Sequence, residues 1–268
     1  MPYNRRPGAG LAARPGYHSG RVPSPLEIAV LVAAGILAGT LNVVAGGGSF
    51  LTLPLLIFLG LPASVANGTN RVGVLLQNVS AVWAFRRHGA LDARWTAGVA
   101  VPAMAGALLG ARLALAVPDF AFTRLLSTAM LGLTLWSIWS ARRESRRTEG
   151  RHLPRWAVWT GFFAMGIYGG FIQAGVGFFI LALTTAAGLD LLRGNAVKVL
   201  GVLLMTGLSL AIFGGAGIVD WPRGGALGVG NLIGGLLGVR LAVLQGQRWL
   251  ERVVTATVAM MALLLWLT

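Results

Sequence analysis

Lys198 is the only lysine in the chain, and it stands inside a stretch, from Gly194 to Val219, that is otherwise uncharged. An ammonium in apolar surroundings is costly unless it meets a cavity or an anion. Asn195 lies three residues before it, and the polar residues Asn67, Asn70 and Gln77 recur at spacings that put them on one helical face, with Arg71 beside them. Two glycine clusters complete the chemistry-bearing set. Ala45-Gly46-Gly47-Gly48-Ser49 interrupts a 43-residue uncharged run, Ile28–Asn70, with Asn42 one turn before it. Gly169-Gly170 and then Gln173-Ala174-Gly175-Val176-Gly177 interrupt a second long run, Trp156–Leu189. Where side chains are absent, main-chain N–H groups at a helix start can approach an oxyanion closely, and the positive end of the helix dipole favours it. The competing account is that the glycines only let helices cross tightly, as small residues do throughout membrane bundles.

The acids point the same way by their position. Glu27, Asp92, Asp119, Glu144, Glu149, Asp190, Asp220 and Glu251 all border the apolar runs or lie between them. No carboxylate is expected at mid-depth to hold a cation or relay a proton. The histidines, His18, His88 and His152, also fall outside the runs, and there is no cysteine. A metal cage, a nucleophile–base pair and a disulfide framework are therefore excluded as organising features, and no cofactor is called for. Embedded cations, neutral amides and exposed helix starts favour a small anion as partner. No nucleic-acid partner is expected, and a homo-oligomer is left open.

The elements that would position these residues follow from composition. Of 268 residues 56% are hydrophobic and 39 are glycine, whereas only 22 are basic and 8 acidic. That is far below the roughly 25% charged residues of soluble domains. An all-α polytopic membrane protein is expected, since only helices satisfy their own backbone groups in hydrocarbon and about 20 residues cross it. Asp92 and Asp220, each just before an apolar segment, read as helix N-caps. Arg112 and Arg240 read as snorkelling anchors, and the tryptophans, mostly near segment ends, as interface belts.

Sliding the chain on itself by 128 residues aligns Gly47 with Gly175, Asn67 with Asn195, Asp92 with Asp220 and Arg112 with Arg240. The expectation is two homologous halves of five embedded segments each: 26–45, 47–60, 66–86, 94–116 and 121–140, then the same plus 128. Residues 1–25 form a disordered tail, 26–141 and 156–268 the two transmembrane repeats, and 142–155 a basic linker that faces the cytoplasm by the positive-inside rule. The loop with Arg86, Arg87 and Arg94 falls on the same side. The exchange of charge between equivalent loops suits inverted halves, the expected arrangement. The four arginines of the tail suit parallel halves of four crossings each, which stay as the alternative.

The residues Gly39-Thr40-Leu41-Asn42, Ala45 to Ser49 with Pro54, and Asn67-Gly68-Thr69-Asn70-Arg71 resemble the first repeat of the TauE/SafE family of membrane proteins. Gly166, Gly169-Gly170, Gly175-Val176-Gly177, Asn195 and Lys198 are similar to its second repeat, with Val176 in place of the middle glycine. The resemblance covers about residues 26–267. It implies export of sulfite or a related sulfur-containing anion (a sulfonate, sulfoacetate) across the cell (inner) membrane, not an enzymatic reaction. The expected binding set is Asn42, Gly46, Gly47, Gly48, Ser49, Asn67, Asn70, Arg71, Gln77, Gln173, Gly175, Gly177, Asn195 and Lys198, with alternating access by one half rocking on the other. A passive anion channel and a scaffold without transport are the alternatives.

Overall fold

Long apolar runs punctuated by proline, aspartate and glycine become helices with sharp ends. A computed structural model describes residues 22–44, 46–129, 132 and 153–245. Its helices are α1 (Pro25–Val44), α2 (Ser49–Phe58), α3 (Ala63–Arg87), α4 (Ala93–Ala116), a stretch α5 over 119–129, α6 (Arg155–Phe171), α7 (Val176–Ala186), α8 (Leu191–Gly215) and α9 (Trp221–Gln245). No strand occurs among the described residues. The expected segment 121–140 is described only over 121–129 and at 132, and the segment 249–268, the linker 142–155 and the tail 1–25 lie largely or wholly outside the described residues.

Two of the caps, Asp92 and Asp220, are those the sequence predicts, and Asp190 adds a third. Asp92 accepts the Trp95 N–H at 2.9 Å and Asp220 the Arg223 N–H at 3.1 Å. Asp190 does the same for Arg193 at 2.9 Å. Each satisfies one of the donors a helix start leaves open. Arg112 and Arg240 are exposed on the outside of their helices, as are Trp83, Trp156, Trp159 and Trp221.

Four helices, Pro25–Val44, Arg94–Ala116, Leu191–Gly215 and Trp221–Leu244, are long and apolar enough to cross a membrane. Two others, α2 and α7, are apolar but have only 10 and 11 residues. Each short helix completes a broken hairpin. After α1 the chain turns so that Gly48 lies against the backbone of Ala38, and α2 runs back and leads through 59–62 into α3. After α6, residues 172–175 turn the chain into α7.

One expectation needs correction. Gly169 and Gly170 are not part of the second break: α6 continues through them to Phe171. A side chain on Gly170 would overlap the Ala107 carbonyl of α4, so the residue is small for packing. The break sits at 172–175, where Gln173 adopts φ 69 and Gly175 φ 73.

Glycine-lined contacts set the helix directions. Gly35 and Gly39 of α1 meet Leu227 and Asn231 of α9, while Val43 meets Gly238. The residue numbers rise together, so α1 and α9 are parallel. Gly106 meets Phe163 and Gly110 meets Ile167, which makes α4 and α6 parallel as well. Helix α3 also runs parallel to α9, from Val72 against Gly224 to Ser80 against Gly235. Helices α3 and α8 are antiparallel: Arg71 stacks on Phe213, whereas Ala81 and Phe85 cluster with Ala196 and Val199. The two hairpins therefore enter the bundle from opposite ends.

Candidate functional site

The hairpin tips meet in the interior. A methyl group on Gly46, which has φ 92, would come within 2.5 Å of Gly177, and the Phe50 and Phe178 rings stack with centroids 6.5 Å apart. Beside this contact is a small cavity of about 10 Å³, room for a single water. It is lined by Asn42, Ser49, Val74, Gln77 and Asn78 on one side and by Gln173, Val176, Gly177, Lys198 and Val202 on the other.

Six of the expected residues thus converge: Asn42, Ser49, Gln77, Gln173, Gly177 and Lys198. Asn42 Nδ2 donates to Gln77 Oε1 at 2.8 Å, and the Gln77 amide nitrogen, beside the cavity, bonds to no described residue. Gln173 Nε2 donates to Thr206 Oγ1, and its buried Oε1 has no partner among the described residues. The Gly177 N–H, in the open first turn of α7, likewise bonds to no described residue. Lys198 Nζ donates to the Val43 carbonyl at 2.6 Å and the Asn42 carbonyl at 3.2 Å. Two of its three protons are therefore committed to the C-terminal end of α1, where helical carbonyls lack partners, and one is left for the cavity.

The other expected residues surround this centre without lining it. Gly46 makes the tip contact, Gly47 faces the Phe178 ring, and Gly48 fits against Ala38 and Asn42. Gly175 caps α7. Asn70 receives the Thr52 hydroxyl proton at 2.6 Å and donates to Ser49 Oγ at 3.1 Å, fixing the start of α2. Asn67 donates to the Phe171 carbonyl at 2.8 Å. Arg71, fully buried, donates to the Gly169 carbonyl at 3.0 Å and the Gly170 carbonyl at 2.6 Å. Asn195 is buried, and its Oδ1 has no partner among the described residues. Both embedded cations thus cover helix C-termini, whose dipole ends are negative.

The expected binding set leaves out Thr52, Asn78 and Thr206. The spacing does put Asn78 beside the first polar face and Thr206, with Ser209, on the matching face of the second half; Thr52 was out of reach, because its partner is on another helix. A buried trio also emerges at one end of the bundle: Arg223 meets Glu27 at 2.6 Å and Asp220 at 2.6 Å, joining α1 to α9.

Comparison with known proteins adds the context. The family description "Sulfite exporter TauE/SafE" matches residues 31–265. The chain is 29% identical to "Probable membrane transporter protein ORF9" of Sinorhizobium sp, over 82% of this chain and 85% of that one. It is 26% identical to a "Probable membrane transporter protein" of Haemophilus influenzae, over 87% and 92% of the two chains. It is 28% identical to "Probable membrane transporter protein YfcA" of Escherichia coli K12, over 89% of each. No solved structure matches the chain.

Proposed function

The chain belongs to the sulfite exporter TauE/SafE family, and from that premise we propose that it is a multi-pass carrier in the cell (inner) membrane for small sulfur-containing anions of the sulfite, sulfonate or sulfoacetate type. Its relatives carry the name probable membrane transporter protein, which supports transport across a membrane; substrate class and mechanism are inferred from the site. One observation carries the reading: two broken hairpins entering from opposite ends converge on an interior cavity with an ammonium proton, an amide nitrogen and a main-chain N–H beside it that no described residue accepts. A tetrahedral or pyramidal oxyanion supplies the acceptors that such donors lack.

The halves are read as inverted repeats. Helix α3, at Ala63–Arg87, has its counterpart at Leu191–Gly215 an even 128 residues on, and the two run antiparallel. The pairs α1–α9 and α4–α6 are exchanged by the same two-fold relation. With Arg86, Arg87 and Arg94 on the cytoplasmic side, the α1–α2 hairpin enters from outside and α6–α7 from the cytoplasm. A cavity holding one water is too small for the anion, so the protein must widen there before the anion fits. That favours a carrier, which must open and close around its cargo, over a standing channel.

The test is transport into proteoliposomes with sulfite, thiosulfate, sulfoacetate, taurine and sulfate. Lys198→Ala is expected to raise the half-saturating concentration about tenfold or more, the loss of one charge-assisted hydrogen bond, with Lys198→Arg partly tolerated. If both variants transport every anion like the parent, Lys198 is no ligand; if no sulfur-containing anion is moved, the substrate class is wrong.

A further inference from the structure

The packing divides the bundle along a line that is not the boundary between its sequence halves. Helices α1 and α3 pack with α9, which comes from the second half, and α2 packs on α1 and α3; α6 and α8 pack with α4, from the first, and α7 packs on α6 and α8. Within each group the backbones touch. A methyl on Gly230 or Gly234 would overlap a carbonyl of α1, and one on Gly106 or Gly110 would overlap a carbonyl of α6. Such glycine contacts lock helices as units. Between the groups no glycine lock joins the long helices: where α3 and α8 meet, a methyl on Gly207 would have 3.8 Å to Leu75, and the close backbone approach across the seam is the tip contact of Gly46 with Gly177. The cavity lies on this seam, five lining residues from each group.

Side-chain hydrogen bonds across the seam between the two groups are few and lie on either side of the cavity. On one side Arg71 and Asn67 of α3 hold the last carbonyls of α6, Gly169, Gly170 and Phe171. On the other, Lys198 of α8 holds the last carbonyls of α1, Asn42 and Val43. The remaining site hydrogen bonds, Asn42–Gln77, Thr52–Asn70, Asn70–Ser49 and Gln173–Thr206, stay within one group. Two loops join the groups, 88–92 and 216–220. Gly89 at φ 66 and Gly217 at φ 68 occupy them 128 residues apart, in a backbone region where glycine turns at least cost.

We infer that transport opens along this seam, with Arg71 as the positioning residue that keeps the gate shut at the α3 N-terminal end and Lys198 as its counterpart at the other end. The inference rests on the transport reading, although its test does not need the substrate. Each cation bridges a long helix of one group to a broken helix of the other, so separation of the groups at one end breaks one clamp and leaves the other as pivot. Arg71 acts through α6 and does not touch the cavity.

The chain has no cysteine, so a single Val74→Cys in the cavity wall reports its own accessibility. The protein is reconstituted in oriented vesicles and exposed to a membrane-impermeant maleimide from either side. In the Val74→Cys background, Arg71→Met is expected to raise the labelling rate about tenfold or more from the α3 N-terminal side alone, and Lys198→Met to do so from the opposite side alone. Arg71→Lys keeps the buried charge and one reach to the carbonyls, so it should give the same sidedness to a lesser degree and guards against misfolding of the Met variant. Labelling of both Met variants from the same side, from both sides, or unchanged from either overturns the inference. Side-specific opening in a protein that moves no sulfur anion would leave the seam standing and remove only the substrate class.

Discussion

Gly46→Ala puts the meeting of the hairpin tips to the sharpest test. Two costs are separable in the structure. Gly46 has φ 92, a conformation an L side chain adopts at about 1–2 kcal/mol. Its new methyl would also lie 2.5 Å from the Gly177 Cα and carbonyl carbon and 2.7 Å from the Phe178 N, so one tip must retreat by about an ångström. Overpacking of that kind costs a further ~1–3 kcal/mol. Gly60 supplies the control: its φ is 89, but nothing lies within 4 Å of where its methyl would stand. Gly60→Ala should lose only the conformational ~1–2 kcal/mol, Gly46→Ala about 2–5 kcal/mol in all. Chemical unfolding in detergent reads the difference, and initial uptake into proteoliposomes reads its consequence, a fall of about tenfold for each 1.4 kcal/mol added to the transport barrier. Equal stability and equal uptake in the two variants would refute the tip contact.

Two further outcomes test the packing. Gly98 lies in α4 with open space around it, so Gly98→Ala should stabilise by up to about 1 kcal/mol through helix propensity, whereas Gly110→Ala, whose methyl meets the Ile167 carbonyl, should destabilise by about 1–3 kcal/mol; thermal unfolding of the two variants should move in opposite directions. At the Glu27–Arg223–Asp220 trio, Arg223→Gln strands two buried carboxylates and should cost about 3–5 kcal/mol, while Glu27→Gln leaves the 2.6 Å pair with Asp220 and should cost less; equal losses would show that the cation is not what holds α1 to α9.

Helix positions were legible because they rest on local rules. The segment 66–86 became Ala63–Arg87, and the aspartates at 92 and 220 cap as expected. The first break was legible because three glycines and a serine have no reason to end an apolar helix elsewhere. The second was misplaced for a physical reason. A glycine that admits a neighbouring backbone, as Gly170 admits Ala107, and a glycine that turns the chain carry the same letter. The turn itself is made partly by Gln173, a residue with no preference for φ 69. The exchange of α4 and α9 between the groups was out of reach, since local pattern says which face of a helix is small but not which helix fills it. Lys198 was recognised as costly, and its carbonyl partners lie 155 and 156 residues away.

That finding alters how the cation attracts an anion without removing the attraction. A helix C-terminus carries about half a negative charge, so the end of α1 offsets only part of the ammonium, and the end of α6 part of the Arg71 guanidinium. The starts of α2 and α7, which meet at the same place, contribute about half a positive charge each and restore the balance. The buried carboxylates do not intervene, because Glu27 and Asp220 are engaged by Arg223. Among the described residues the fully enclosed charges are therefore three cations against two carboxylates, one positive charge in excess. A monoanion entering the cavity makes the enclosed set neutral, and a cation would double its imbalance. Discrimination by sign thus follows from the enclosed charges and helix ends together, and replacing Arg71 or Lys198 by methionine should lower the ratio of sulfite to sodium uptake into proteoliposomes even where the fold survives.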